Sequence, residues 1–479
     1  MKIVLIEPRS PDLHIFSRFG LPRLGAPLLA TIARDLGHDA AVFAEEVAEV
    51  DWDEVRSADL VGISTITSTA PRAYAVADRA RFFGRRVVIG GPHATYMPAE
   101  AAAHADWVLM GEAEHTFVEL IEHIEGRRPA GEVHGMACLD GDGLVRTAPD
   151  PERVDVDANP APDFSLVRGW SDVKGVLGNR IVPVQTSRGC PFDCCFCSVT
   201  GMFGRRIRYR STASVMEELL PHADKEKNLH VFFYDDNFAA SPARAKEILR
   251  AMKAAKTRFG WSTQVRADAA RDDELLTLLR ETNCDTVYIG VESVNPASLA
   301  SANKRQEVEA TLDNLLKFRE SGIDVHGMFV LGFDDDGPDI ADATVAFARR
   351  AKLMSIQALV LTPLPGSRTF DEMDRAGRIL FRDWSMYDTH HVVIRHPRLS
   401  AEQLQEAQIR AHRKFYSPGW ILKQALLGHH SSAAIACYAR ALNRRWKRDN
   451  SLYLRALKLL KPSRELEINM SLRKPCGIE

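Results

Sequence analysis

At 479 residues the chain is too long for one ordinary domain, so two or three are expected. Hydrophobic residues make up 45% and charged residues 26%, with a formal net charge of −2, the balance of a soluble globular protein. No run approaches the ~18 apolar residues of a membrane span. "MKIVLIEP" lacks the flanks of a signal peptide. Of the eight cysteines, Cys138, Cys284, Cys437 and Cys476 are scattered, which fits a reducing cytosol better than a secreted disulfide framework.

The first 136 residues read as strands alternating with helices. Lys2 to Pro8 is a short β-rich run, "GAPLLATIARDLGHD" has helical spacing with a stop at Gly37, and "AAVFAEE" is a second strand. Leu60 to Ser68 gives a third strand, followed by a helix through Phe83. Arg86 to Thr95 gives a fourth that ends in Gly-Gly, and Trp107 to Thr116 a short fifth leading into a helix. This alternation implies a Rossmann-like, doubly wound parallel sheet, whose ligands bind at the carboxyl ends of the strands. Ser64, Thr65, Gly90, Gly91 and Gly111 stand there, with His93 and Glu112 beside them. Small residues let a large flat ligand approach the backbone; alternatively the glycines only make tight turns.

Four stretches in this order, "GLPRLGAPLLATIARDLGHD", "VGISTIT", "IGGPHAT" and "DWVLMGEAEHT", resemble the cobalamin-binding domain fused to many radical S-adenosylmethionine enzymes. The resemblance implies that cobalamin lies across the strand ends, against Ser64, Thr65, Gly90, Gly91, His93, Gly111 and Glu112. The Asp-x-His-x-x-Gly motif whose His coordinates cobalt in many such domains is missing, and neither His38 nor His93 has its context. The lower face of a bound cobalamin is therefore expected to lack a protein imidazole, and a degenerate domain that has lost the cofactor stays open.

Residues 137–180 read as a linker, rich in Pro, Gly and Asp, with a hairpin-like "LDGDGLVRT". Beyond it a strand, Ile181 to Thr186, runs into "RGCPFDCCFCSV", which holds the other four cysteines. The spacing Cys190-x3-Cys194-x2-Cys197 places three thiolates in one loop, enough for three irons of a [4Fe–4S] cluster. The fourth iron is left open to a small chelating molecule such as S-adenosylmethionine. A zinc site wants four ligands in two separated pairs, and adjacent Cys194 and Cys195 do not easily bind together. Cys195 is expected to be a bystander and Phe196 to pack over the cluster.

The spacing, with an aromatic before the last Cys, resembles the radical S-adenosylmethionine superfamily. Five further β runs follow, at "HVFFYDDNFAAS", "GWSTQVRAD", "TVYIGVESVN", "DVHGMFVLGFDDD" and "IQALVLTPLPGSRTF", separated by helix-like stretches. With the cysteine-bearing strand they make an open (β/α)6 partial TIM barrel over 181–385, its site at the strand carboxyl ends. The resemblance implies that Tyr234, Asp235 and Asp236 meet the S-adenosylmethionine amino group and Arg266 its carboxylate. Glu292 and Ser293 then touch ribose or carboxylate, Gly332 lies at the adenine end, and Pro363 stiffens a wall. Any one carboxylate after a strand is equally a helix cap.

The resemblance covers roughly Met1 to Tyr387 and points to relatives of the anaerobic Mg-protoporphyrin cyclase and hopanoid methylase group. The implied function is methylation of an unactivated carbon of a lipid, tetrapyrrole or natural-product substrate, through a 5′-deoxyadenosyl radical and methylcobalamin, with a flavodoxin- or ferredoxin-type electron donor. A non-methylating cyclase, oxidase or carbon–carbon coupling enzyme is the alternative, and a non-catalytic cobalamin or metal sensor the second.

Residues 386–479 read as a helical, basic C-terminal region. From Ala411 to Glu479, 14 Lys and Arg stand against 4 Asp and Glu, a net of +10 against −12 for the rest. Ser400 is the expected N-cap of a helix with Glu402 and Gln403 in its first turn. "WILKQALLG", "AAIACYARALNRRWKR" and "LYLRALKLLK" then mix Leu, Trp and Tyr with cations. Such helices either lie on an anionic membrane surface or form a cap with a solvated basic face. No nucleic-acid reader motif is present. The protein is expected in the cytoplasm, peripheral to the inner face of the membrane on the first of these two readings. His390 and His391 are read as surface groups within possible reach of the substrate.

Overall fold

The computed structural model describes residues 1–10, 21–141, 143–173, 180–223 and 229–460. Cys476 and the end of the basic region lie outside the described residues. The first sheet contains β1 (Lys2–Glu7), β2 (Asp39–Ala44), β3 (Leu60–Ser64), β4 (Arg86–Gly90) and β5 (Trp107–Leu109), all parallel, in the order β2-β1-β3-β4-β5. "KIVLIE" is almost entirely apolar because both faces of a parallel sheet are covered. The winding reverses between β1 and β3, and the loops after those two strands flank the crevice where such sheets take ligands.

The first ten residues of the stretch read as a linker belong to this sheet. β6 (Met136–Asp140) and β7 (Gly143–Arg146) continue it antiparallel from β5, while Val167 bridges to Val42 at the opposite edge. Residues 136–167 thus wrap the first domain from one edge to the other.

The second sheet is the six-stranded half-barrel: β8 (Arg180–Val184), β11 (Leu229–Phe233), β12 (Gly260–Val265), β13 (Cys284–Glu292), β14 (Asp324–Leu331) and β15 (Ser355–Val360). They are parallel and adjacent in chain order. Between β8 and β11, the short pair β9 (Ser187–Arg188) and β10 (Arg208–Tyr209) closes the cysteine loop. Alternate side chains divide the work. Val231, Phe233, Val287, Ile289, Phe329 and Ile356 pack outward under the helices. Phe232, Tyr288 and His326 form a chain of ring contacts, 5.6 and 5.0 Å between centroids.

β15 is an edge strand, and its free backbone groups need partners. Residues from 386 to 416, expected to lie beyond the barrel, supply them. Val360 N donates to Thr389 O (2.7 Å), and Tyr416 Oη both receives from Ile356 N (2.8 Å) and donates to Ile356 O (2.7 Å). His412 Nε2 accepts from Ala358 N at 2.9 Å, a role open only to neutral imidazole; burial pushes its pKa down to about 4. The helix Ala401–Phe415, which carries His412 and ends at Tyr416, starts in the expected capping box, Ser400 with Gln403. His390 and His391 are not surface residues. They are buried in this junction, His391 between Asp388 and Asn450 (3.0 Å each) and His390 against Gln408 (3.2 Å).

The two sheets share a core. Ile63, Tyr74, Ile89 and Ala94 of the first domain form one hydrophobic cluster with Val330, Leu361, Phe370 and Trp384 of the barrel. At this joint Gly366 has φ +86°, and a Cβ there would lie 2.3 Å from the Tyr96 ring. Replacing Gly366 with Ala is expected to cost about 1–3 kcal/mol through left-handed backbone strain and overlap. It should lower the thermal midpoint by several degrees, read by calorimetry, with partial recovery when Tyr96 is also changed to Ala.

Candidate cofactor site between the two sheets

The cysteine loop is held at its root. Asp235, at the end of β11, is fully buried and accepts from Thr186 N (3.1 Å), Thr186 Oγ1 (3.2 Å) and Ser187 Oγ (2.5 Å). Arg244 donates to Thr186 O at 3.1 Å and also to Arg210 O. Asp235, expected against S-adenosylmethionine, therefore has its oxygens committed to the loop. Burial raises its pKa to about 6 against the hydroxyl of Ser187 and the charge of Arg244.

Cys190, Cys194 and Cys197 are half-buried and unbridged. Burial pushes all three thiols up, Cys197 to about 12, and the Asp236 carboxylate and the other two thiols add to the effect at Cys197. Three thiols that sense one another in a confined, acid-lined loop need positive charge to become thiolates, and an iron cluster supplies it. The donor set fits that group. Cys195 is turned away: its Sγ lies 3.6 Å from Ser301 O, and the residue belongs to the shared core. Phe196 packs edge-to-face on Phe333, centroids 5.9 Å apart.

The other expected S-adenosylmethionine contacts divide into two groups. Tyr234 and Asp236 are exposed in the concave mouth, and burial around Asp236, with Asp235 behind it, lifts its pKa to about 7. Glu292 ends β13 at φ +63° and accepts from Lys304 Nζ at 2.8 Å. Lys304 was not anticipated, since it lies in a helix-loop stretch with no motif of its own. Burial works to lower its pKa, but Glu292 and Cys194 outweigh that and leave it raised.

Arg266 does not point freely into the barrel. Its guanidinium stacks on Phe192, 3.9 Å from the ring centroid, and donates to Arg305 O at 3.3 Å. Ser293 is buried and caps Asn295 N. Gly332 donates to Asp336 (2.8 Å) with φ +106°, a backbone angle that favours glycine, and a Cβ there would also press on Leu404 at 2.9 Å. Pro363 is buried beside this wall.

On the facing side, Gly91 has φ +97°, and a Cβ would strike Thr65 O at 2.6 Å; buried Thr65 N in turn donates to Gly90 O at 2.9 Å. Ser64 and Gly111 remain partly open. Two residues expected against cobalamin are engaged elsewhere. His93 is wholly enclosed, its ring 5.1 Å from Trp384 and its Nε2 3.9 Å from Glu100. Glu112 pairs with Arg188 (2.8 Å) and Arg208 (2.7 Å) of the cysteine loop. Glu114 joins the same buried cluster, 2.5 Å from Arg188.

Several residues unforeseen from sequence line the crevice. Glu7 ends β1 and holds Arg23, whose backbone donates to it at 2.8 Å. Arg23 also reaches Ser64 O (3.4 Å). Burial raises the pKa of Tyr234, which Arg23 opposes and Glu7 reinforces, and the two sheets meet where Ile63 and Ile89 of the first share a core with Val330 and Leu361 of the second. Glu45 is clamped by Arg72 (2.5 Å), and burial raises Glu46 to about 7, with Glu7 adding to it.

Two family models match this chain: the B12 binding domain over residues 17–121 and the Radical SAM superfamily over 184–345. The chain is 30% identical to bacteriochlorophyllide d C-12(1)-methyltransferase of Chlorobaculum tepidum over 431 residues, 88% of this chain and 89% of that one. Among solved structures, the radical S-adenosylmethionine methyltransferase TsrM from Kitasatospora setae, with cobalamin and a [4Fe–4S] cluster bound, superposes with TM-score 0.65 at 19% identity, over 78% of this chain and 75% of that one. The cobalamin-dependent S-adenosylmethionine radical enzyme OxsB, with aqua-cobalamin and S-adenosylmethionine, gives 0.67 at 14%, over 98% and 82%.

Two outcomes follow from this geometry. Changing Arg188 to Ala strands Glu114 and half of Glu112 in the interface, and is expected to cost about 3–5 kcal/mol in urea unfolding, with Arg188→Lys milder. For Glu46, the carboxyl ionises near pH 4.5 when unfolded but about 7 when folded, so it withdraws stability as pH rises between those values. In corrinoid-free protein, Glu46→Gln should therefore gain about 1–2 kcal/mol on the wild type between pH 5 and pH 8.

Proposed function

The chain belongs to the radical S-adenosylmethionine enzymes that carry a cobalamin-binding domain, and we propose that it methylates an unactivated carbon of a lipid, tetrapyrrole or other natural product. The observation that carries this reading is the joining of the two strand-end regions: Arg188, beside the cysteine triad, pairs with Glu112 and Glu114 after the last parallel strand of the first sheet, and Tyr96 Oη donates to Ser198 O just past Cys197. A methyl carrier on the first domain and a radical generator on the second would then share one crevice. When bound, the cluster and S-adenosylmethionine supply a hydrogen-abstracting radical, and cobalamin a transferable methyl group.

This chain's own residues bind, orient and exclude water. Cys190, Cys194 and Cys197 hold the cluster, with Asp235 and Arg244 fixing the loop. Lys304, poised by Glu292 beside Cys194, is the cation for the S-adenosylmethionine carboxylate, and Asp236 with Tyr234 receives its amino group. Arg266 would reach that carboxylate only after leaving Phe192. Ser64, Gly90, Gly91 and Gly111 would meet the corrin across the strand ends, beside the joint that Tyr96 makes with Ser198 O and Trp384 with Glu100.

Electrons come from a flavodoxin- or ferredoxin-type donor. The protein works in the cytoplasm, at the inner face of the membrane where apolar substrates reside. Among the described residues no helix is long and apolar enough to cross a membrane.

The test is turnover without oxygen, with trideuteromethyl S-adenosylmethionine, a reductant and a panel of tetrapyrroles and isoprenoids. Methylation requires labelled product together with S-adenosylhomocysteine and 5′-deoxyadenosine. Deoxyadenosine alone would replace it with a ring-closing or oxidative reaction, and no cleavage at all with a sensor. Cys194→Ala should abolish deoxyadenosine formation, while Cys195→Ala should keep iron and cleavage.

A further inference from the structure

Large hydrophobic side chains left in water gather near the C-terminal end of the described chain. Leu422, Leu426, Leu427, Leu452 and Leu459 are between 57% and 82% exposed. The helix Pro418–Leu426 is anchored by Trp420, which is buried on Phe415 and Tyr416, centroids 5.0 and 6.1 Å away. Leu422 and Leu426, one turn apart, project from the side that Trp420 does not use. The chain turns at Gly428 (φ +77°) and returns as the helix His430–Asp449.

That second helix buries Ala436 and Ala439 in the same core as Trp420. Arg440 and Asn443 tie it to Tyr416 O and Ile409 O, at 3.3 and 3.4 Å. Both helices therefore turn their other faces away from the barrel. On the second, the exposed stripe passes from Ala434, Cys437 and Ala441 to Arg444, Arg445 and Arg448.

From 418 to 460 there are eight Lys and Arg and a single acid, Asp449, shared by Arg445 and Arg448 (3.3 and 3.1 Å). A surface with protruding leucines and an excess of cations is complementary to one that offers negative charge with apolar depth beneath it. An anionic bilayer leaflet offers both. Nucleic acid brings the charge without the apolar layer, and a second copy of this chain would set like charges face to face.

We propose that the helical hairpin 418–449, continued by the helix Ser451–Leu459, is the membrane-docking element of this protein. It lies flat on an anionic leaflet, with the leucines entering the acyl boundary and the arginines at the headgroups. This rests on the peripheral-contact reading above and is independent of which reaction the barrel performs.

The experiment is co-sedimentation of the full-length protein with phosphatidylcholine vesicles, with and without phosphatidylglycerol, at two salt concentrations. Wild type should bind the phosphatidylglycerol vesicles and weaken as salt rises. Leu422→Ser/Leu426→Ser/Leu427→Ser should lose binding roughly tenfold, with thermal midpoint, iron content and S-adenosylmethionine cleavage unchanged. No binding by the wild type would overturn the membrane contact itself. Binding untouched by the triple change would overturn the hairpin as its agent. A dimer in sedimentation velocity that the triple change dissociates would assign the leucines to self-association instead.

Discussion

Everything in this molecule depends on two parallel sheets being held with their strand ends opposed. Each sheet could take a ligand there alone. Fixed against one another, they define a single crevice. The fixing is done by unlike means at different points: a shared apolar cluster around Trp384, the Tyr96 ring over Gly366, and the buried pairing of Arg188 and Arg208 with Glu112 and Glu114. The ionic part is the informative one. Buried ion pairs add little net stability, but breaking one is costly, so they serve register better than strength. Arg188 lies two residues before Cys190, and its partners follow the last parallel strand of the first domain. The distance between the cluster loop and the corrin domain is thereby tied to one network.

The C-terminal region has a comparable double use. A half-barrel leaves an edge, and an open edge would pair with any other strand. Tyr416 and His412 cover the backbone of β15, and Gln408 donates to Ala358 O. Once the inner faces of these helices are spent on the barrel, their outer faces are free to differ from it in charge, which is how an acidic body comes to carry a basic end.

Much of this was legible in the sequence. The alternation of apolar runs and helical spacing placed the five parallel strands of the first sheet and the six of the half-barrel, because parallel strands are short, apolar and separated by amphipathic helices, while β6 and β7 were read as linker. The cysteine spacing marked the three thiols, and Ser400 with Gln403 marked a helix start. Illegible were the partners that only folding brings together. Lys304 reaches Glu292 from a loop 12 residues away, and Arg188 meets Glu112 and Glu114 across two domains. Nor does local reading show that His93 and Glu112 take partners from the second domain. Each follows a strand end as a ligand contact would, but the second domain covers that ground. His390 and His391 failed for the same reason, since polar residues after a strand look exposed until a later helix closes over them.

The central claim is that both cofactors occupy one crevice of one chain. The most direct measurement is iron, sulfide and corrinoid per chain after purification without oxygen from cells supplied with cobalamin. The account predicts about four irons, about four sulfides and about one corrinoid. The same iron with no corrinoid, even after incubation with cobalamin, would contradict it.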